Sequence, residues 1–274
     1  EKYGYIIAVF QKVIFTITAL VAQDAPNGTI ETYGDGTATP VNGGLIVSVG
    51  IGGSQTFNFS PFADNHVSAI QVDGTFIKYN LTYTFTNVQA DHTLTVYFST
   101  DGQAYVPIGS NVPVYLGDNV GLNFTSINEG GTATQANVLS LLLPQLQGTS
   151  LILWDVSVGA TFTGLVEVTL PYEGATIANV WTSDSLDALY SDVNADGVVN
   201  GDDVSDVAVG IKTTVSSGAE YNPQFDINRD GELTEADVHL VNEYKGTTLQ
   251  SLTFWIEGDS LFIETDHFSI FRGR

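Results

Sequence analysis

Twelve residues beginning at Asp192, DVNADGVVNGDD, recur in pattern 34 residues later as DINRDGELTEAD from Asp226. A repeated spacing of oxygen-bearing side chains around one glycine constrains a chain more tightly than an apolar run does, because the side chains must reach a common centre. In a calcium loop, oxygen ligands come from positions 1, 3, 5, 7 (through the backbone), 9 (often through water) and 12, with glycine at position 6 making the turn. The first copy sets Asp192, Asn194, Asp196, Val198, Asn200 and Asp203 at those places, with Gly197 at the turn. The second sets Asp226, Asn228, Asp230, Glu232, Thr234 and Asp237, with Gly231 at its turn. Three carboxylates in each loop suit a hard divalent cation, and neither loop holds a His or Cys to draw zinc or copper. An ordinary Asx-Gly turn would need no acid at positions 1, 5 and 12 together. The spacing predicts two calcium ions, one per loop.

The charge distribution agrees. Residues 191–246 hold 12 of the 31 acidic residues and 3 of the 8 basic ones, within a chain of net charge −23. So few Lys and Arg cannot neutralise successive phosphates, which argues against a nucleic-acid partner. There is no Cys, so no disulfide and no thiolate chemistry. The lack of Met and the start at Glu1 are read as the mark of an exported protein whose leader has been removed, hence extracellular at the cell surface. Four N-x-S/T sequons, at Asn27, Asn58, Asn80 and Asn123, are candidate glycosylation sites on such a surface.

Each acidic loop is followed by a helix-like run, VSDVAVGIK and VHLVNEYKG, and position 12 is Asp instead of the EF-hand's Glu. This duplicated loop-helix unit, across about residues 190–246, resembles a type I dockerin. The resemblance implies calcium as a folding cofactor and a protein partner of the cohesin kind, met through the helices. Dockerins commonly carry Ser or Thr at loop positions 10 and 11 and basic residues farther along the helix. Here those places hold Gly201, Asp202, Glu235 and Ala236, then Ala208, Val209, Asn242 and Glu243, so the cohesin-recognition pattern is missing.

The rest of the chain reads as strands. Residues 13–99 alternate apolar and polar positions between Gly, Asn and Asp turns, which predicts an antiparallel β domain. Its run GGSQTFNFSPFADNHVSAIQVDG, continuing through YTFTNVQADHTLTVYF, resembles a divergent internalin-type β repeat, generally a spacer or adhesive module. The glycines of VGIGGS (Gly50, Gly52, Gly53) lack a following helix and are expected to form a hairpin turn. Residues 100–183 resemble a β-sandwich module of surface proteins whose closing T-x-F-S-x-F-like strands appear only at 251–271. That order predicts a sandwich of residues 100–183 plus 248–274 interrupted by an insertion at 184–247. The alternatives are that 251–271 pairs with the first domain or forms its own hairpin. The fold class expected is mainly β: two antiparallel, sandwich-like domains with a small α-helical, EF-hand-like insertion.

Upstream of the first domain, residues 1–11 carry YGYIIAVF, apolar on both alternating faces. One reading makes it the first strand of its own domain. A membrane helix from Tyr3 to Ala22 is disfavoured by Gln11 and Lys12 at its middle, so membrane contact is not expected. The third is a donor strand in which Tyr3, Tyr5, Ile6, Ile7, Val9 and Phe10 complete the sheet of another copy, a head-to-tail contact that builds a homopolymer.

Catalysis finds little support. His66, His92, His239 and His267 are scattered, with His267 read as lying in a strand, and no G-x-S-x-G occurs. Trp154, Trp181 and Trp255 could stack on sugars, yet each lies in a strand-like run where packing is the ordinary role. The chain is therefore read as a non-enzymatic, calcium-stabilised subunit of a pilus-like surface filament or layer. The alternative is an adhesive or carbohydrate-binding module whose dockerin-like unit meets a protein partner.

Overall fold

The computed structural model describes residues 11–22, 27–137, 152–172, 177, 179–216 and 221–273. Strand alternation shows at once in β1 (Ile14–Val21), where Ile17 and Ala19 are fully buried and Thr16 and Thr18 are not. The chain continues through β2 (Gly28–Gly34), β3 (Thr37–Val41), β4 (Gly44–Gly50), β5 (Gln55–Pro61) and β6 (Asn65–Val72). Then come β7 (Thr75–Ile77), β8 (Thr82–Phe85) and β9 (His92–Thr100). Sheet A has the order β3-β4-β1-β9-β6-β7, and sheet B the order β2-β5-β8. Their inner faces share one core, with Phe57 and Phe59 of sheet B set against Ile17, Val47, Leu94 and Phe98 of sheet A.

Two expectations change here. β1 and β9 run parallel, so sheet A is not purely antiparallel; the seven strands between them provide the long crossover that a parallel pair requires. The VGIGGS turn is not a hairpin either. It joins β4 in sheet A to β5 in sheet B, so it carries the chain from one layer to the other.

The second group of strands comprises β10 (Gln103–Val106), β11 (Gly109–Gly117), β12 (Val120–Glu129), β13 (Gly131–Asn137), β14 (Ile152–Val158), β15 (Thr161–Pro171) and β16 (Val180–Ser183). Helices α1 (Leu186–Ser191), α2 (Gly201–Ser216) and α3 (Glu235–Tyr244) follow, with a 3-10 turn at Pro223–Phe225. The chain then returns to strands: β17 (Gln250–Ser251), β18 (Thr253–Glu257), β19 (Ser260–Thr265) and β20 (Ile270–Gly273). Sheet C has the order β10-β13-β14-β20-β16-β17 and sheet D the order β11-β12-β15-β19-β18. Strands after the helices thus pair with strands before them: β19 with β15, and β20 with both β14 and β16. A register shift opposite β15 lets β12 bury Phe124 and Ile127, three residues apart, on one face. The core between sheets C and D also takes in Ala69 and Phe76 from the first group, which joins the two sandwiches through β6, β7 and β11.

The helical segment leaves the strands at Ser183 and returns at Gln250, and β16 and β17 pair across that gap, Trp181 opposite Ser251 and Thr182 opposite Gln250. A third core lies between the helices and the outer face of sheet C. Leu153, Arg272 and Trp181 form one row there, on β14, β20 and β16. Leu189, Val193, Val199 and Val207 of the helical segment cover it.

Candidate metal centre

Both acidic loops close on the same set of hydrogen bonds. In the first, the Asp192 carboxylate accepts from the amides of Asp196 (3.1 Å) and Gly197 (3.1 Å). Asn194 Oδ1 accepts from the Asp196 amide at 2.9 Å, and Asp196 Oδ1 from the Val198 amide at 2.9 Å. Asp203 spans the loop: Oδ1 accepts from Val193 (2.9 Å) and Asn194 (3.2 Å), Oδ2 from Asn200 (2.8 Å). The second loop repeats each bond. Asp226 accepts from Asp230 (3.2 Å) and Gly231 (2.9 Å), and Asn228 Oδ1 from Asp230 (3.0 Å). Asp230 Oδ1 accepts from Glu232 (2.8 Å), and Asp237 from Ile227 (2.8 Å), Asn228 (3.2 Å) and Thr234 (2.9 Å).

The backbones match as closely. Position 4 takes a left-handed conformation in both loops, Ala195 at φ 60° and Arg229 at φ 61°, and so does position 6, Gly197 at φ 88° and Gly231 at φ 87°. Asp237 doubles as a cap: with Thr234 it makes a capping box that starts α3.

The carboxylates at positions 1 and 12, Asp192, Asp203, Asp226 and Asp237, are fully buried, while Asp196 and Asp230 face solvent. Burial pushes Asp192 above the usual carboxylate range; the Gly197 amide and Arg272 oppose that, and Asp203 and Asp196 add to it. Burial likewise raises Asp237 against the amides of Thr234, Asn228 and Ile227. Among the described residues no three His, Cys, Asp or Glu side chains gather into a metal-holding cluster by themselves. The oxygens that the loops could offer a cation are mixed: three carboxylates each, Asn194, Asn200, Asn228 and Thr234 side chains, and the position 7 carbonyls of Val198 and Glu232. All-oxygen chemistry of this kind fits calcium.

The structure adds residues that the spacing did not reveal. The Gly197 Cα lies against the Trp181 ring, so closely that a Cβ built there would stand 2.5 Å from Cη2. Arg272, 3% exposed, donates to the carbonyls of Leu189 and Asp192, the latter at 3.4 Å, and its guanidinium lies 5.5 Å from the Tyr190 ring centroid. Arg229 of the second loop lies over the same Tyr190 ring at 5.1 Å and pairs with Asp187 of α1. The Tyr221 hydroxyl donates to Asp226, and burial together with that carboxylate raises the phenol well above its ordinary value.

A family model for the dockerin type I domain matches residues 190–244. Those residues are a dockerin-like calcium-binding unit. Dockerin domains are non-catalytic protein–protein interaction modules that bind cohesin partners and occur in secreted or cell-surface proteins. No curated protein and no solved structure matches the chain. The match ends at 244 and does not reach the strands read as an internalin-type repeat and a sandwich module.

The other sequence-derived sites fall outside residues 190–244 of the sequence. Tyr3, Tyr5, Ile6, Ile7, Val9 and Phe10 fall outside the described residues. Asn80 is exposed after β7, Asn123 is exposed on β12, and Asn27 and Asn58 are half-buried. His66, His92 and His267 each meet an aspartate, Asp101, Asp73 and Asp266, and His267 sits in the bend between β19 and β20, not in a strand. Among the described residues no helix is long and apolar enough to cross a membrane.

Proposed function

We propose that the chain is a non-catalytic structural and interaction protein of a cell-surface or secreted assembly, whose dockerin-like unit is held in a fixed orientation by two calcium ions. Asp192, Asn194, Asp196, Val198, Asn200 and Asp203 hold one ion, and Asp226, Asn228, Asp230, Glu232, Thr234 and Asp237 the other. Each ion offsets the repulsion of three carboxylates, two of them buried, and its binding energy goes into ordering α2 and α3. The observation that carries this reading is the seat of loop one on the Leu153–Arg272–Trp181 row. A dockerin on a flexible tail samples many orientations; a unit strapped at both ends and packed on a sheet presents one.

The partner face is the groove between α2 and α3, about 480 Å³, lined by Ala208, Ile211, Lys212, Val238, His239 and Asn242. The unusual residues at Gly201, Asp202, Glu235 and Ala236 point to a protein partner other than a typical cohesin.

Filament formation through the N-terminal strand is the finer reading. β1 has β4 and β9 as neighbours, so both of its edges are paired; the run from Tyr3 to Phe10, apolar on both alternating faces, would then complete a sheet of another copy. One experiment tests both levels: electron microscopy, calorimetry and circular dichroism of the purified chain, with and without residues 1–11, in calcium and in excess chelator. Filaments that vanish on truncation support strand exchange. A chelator-induced loss of helix with the β signal retained supports the calcium role. No polymer from either chain rejects the filament, and an unchanged melt in chelator rejects the clamp.

A further inference from the structure

The outer face of sheet D carries a row of side chains that the dockerin-like unit does not use. Register sets Tyr115 beside Gly121, Gly121 beside Thr169, Thr169 beside Phe262, and Phe262 beside Trp255, across β11, β12, β15, β19 and β18. Their neighbours along the same strands, Leu116, Leu122, Val168 and Ile263, are buried in the core, so the row faces solvent. At about 4.8 Å per strand, the row runs ~19 Å and Tyr115 and Phe262 stand ~14 Å apart.

Each end of the row is a stacked aromatic pair. Tyr79 lies on Tyr115 with centroids 3.9 Å apart and planes 10° from parallel. Trp255 lies on Phe262 at 5.3 Å and 7°. Between these walls the floor is only Gly121 and Thr169. The next row along the strands is polar: Pro113, Asn123, Glu167, Glu264 and Thr253, with no basic residue in either row. Glu167 and Glu264 stand directly opposite one another, an arrangement that destabilises a sheet unless something donates to it.

We propose that this trough binds an uncharged, hydroxyl-rich oligosaccharide chain. A sugar ring offers an apolar C–H face to aromatic planes and a rim of hydroxyl donors to carboxylates, whose charge strengthens each hydrogen bond. An anionic polymer is repelled by a chain of net charge −23. A peptide strand would need a free backbone edge, and β12, β15 and β19, which make the floor and one wall, are paired on both sides. The sequence gives no way to choose among the three tryptophans, but their surroundings do. Trp154 is 4% exposed in the core, Trp181 lies under Gly197, and Trp255 is 37% exposed at the end of the row, beyond Phe262.

The test is affinity electrophoresis and tryptophan fluorescence on the full, calcium-loaded chain, made in a host that adds no Asn-linked glycan because Asn123 lies in the polar row. The probes are hydroxyethylcellulose, laminarin, dextran and mannan, with polygalacturonate and polyarginine as charged controls. At least one neutral polysaccharide should retard the protein and perturb its emission, and Trp255→Ala should weaken binding roughly tenfold or more. Trp255→Phe should keep most of the affinity. Gly121→Tyr should also abolish binding without unfolding, since a Cβ at Gly121 meets nothing closer than Thr169 at 3.7 Å; unchanged melting curves verify that both variants are folded. Retardation by polyarginine alone, by no neutral polysaccharide, or equally in parent, Trp255→Ala and Gly121→Tyr would overturn the proposal.

Discussion

Gly197→Ala tests whether the first calcium loop is bolted to the sandwich. Two costs act at this residue. Its φ of 88° is a left-handed conformation, which a side chain raises by about 1–2 kcal/mol. Its new methyl would stand 2.5 Å from Trp181 Cη2 and 2.7 Å from Cζ3, and overpacking of this kind costs about 1–3 kcal/mol. Together they predict a loss of about 2–5 kcal/mol, part of it in calcium affinity, because loop and ion fold together. Gly231→Ala is the control: φ is 87° and the residue is exposed, so it reads the backbone cost. A double-mutant cycle with Trp181→Ala then isolates the contact, and in that background Gly197→Ala should fall to about 1–2 kcal/mol. Urea unfolding at saturating calcium, followed by circular dichroism, gives the stability terms, and titration calorimetry the affinity. Equal losses for Gly197→Ala and Gly231→Ala, unchanged when Trp181 is removed, would refute the coupling.

Arg272→Met removes the donor for the Leu189 and Asp192 carbonyls and should cost on the order of 3 kcal/mol, with Arg272→Lys recovering little because it lacks the guanidinium fork; the urea midpoint of the calcium-loaded chain measures both. At Asp73, partial burial works upward, but the Thr93 amide at 2.7 Å and the His92 ring at 2.7 Å win and hold the carboxyl below its ordinary 3.8. A lowered carboxylate adds stability above its unfolded value and loses it as pH falls through the folded one, so Asp73→Asn should lower stability modestly at neutral pH and flatten the acid limb below about pH 4, as read from urea midpoints across a pH series.

The repeated loop geometry was legible because the carboxylates and the amides they accept from lie within twelve contiguous residues and the glycine marks the turn. The surface the loops sit on was not. Leu153, Trp181 and Arg272 become neighbours only after three strands from both sides of the helical segment pair, and nothing local to any of them records that. The same physics explains the misread details. Parallel pairing of β1 with β9 depends on a seven-strand crossover, and the VGIGGS turn has hairpin composition while joining two sheets. Strand alternation places Trp154, Trp181 and Trp255 outside helices but cannot say which sheet face each meets. One faces the core, one the helical segment and one solvent.

Both loops converge on α1, by different routes. Loop one continues directly from it, and Arg272 ties the joint to sheet C. Loop two reaches it sideways, through Arg229 to Asp187 and across the Tyr190 ring. Binding linkage is reciprocal: whatever free energy sheet C gains from a loaded loop one, loop one gains in calcium affinity from a folded sheet C. The two loops, alike in oxygen-bearing residues and backbone, therefore need not bind calcium with the same strength. On the proposed reading, loop one's affinity is set partly by sheet C and loop two's mainly by the helices it orders. On that reading, emptying loop two would loosen α2 and α3 while a loaded loop one still holds the unit to sheet C.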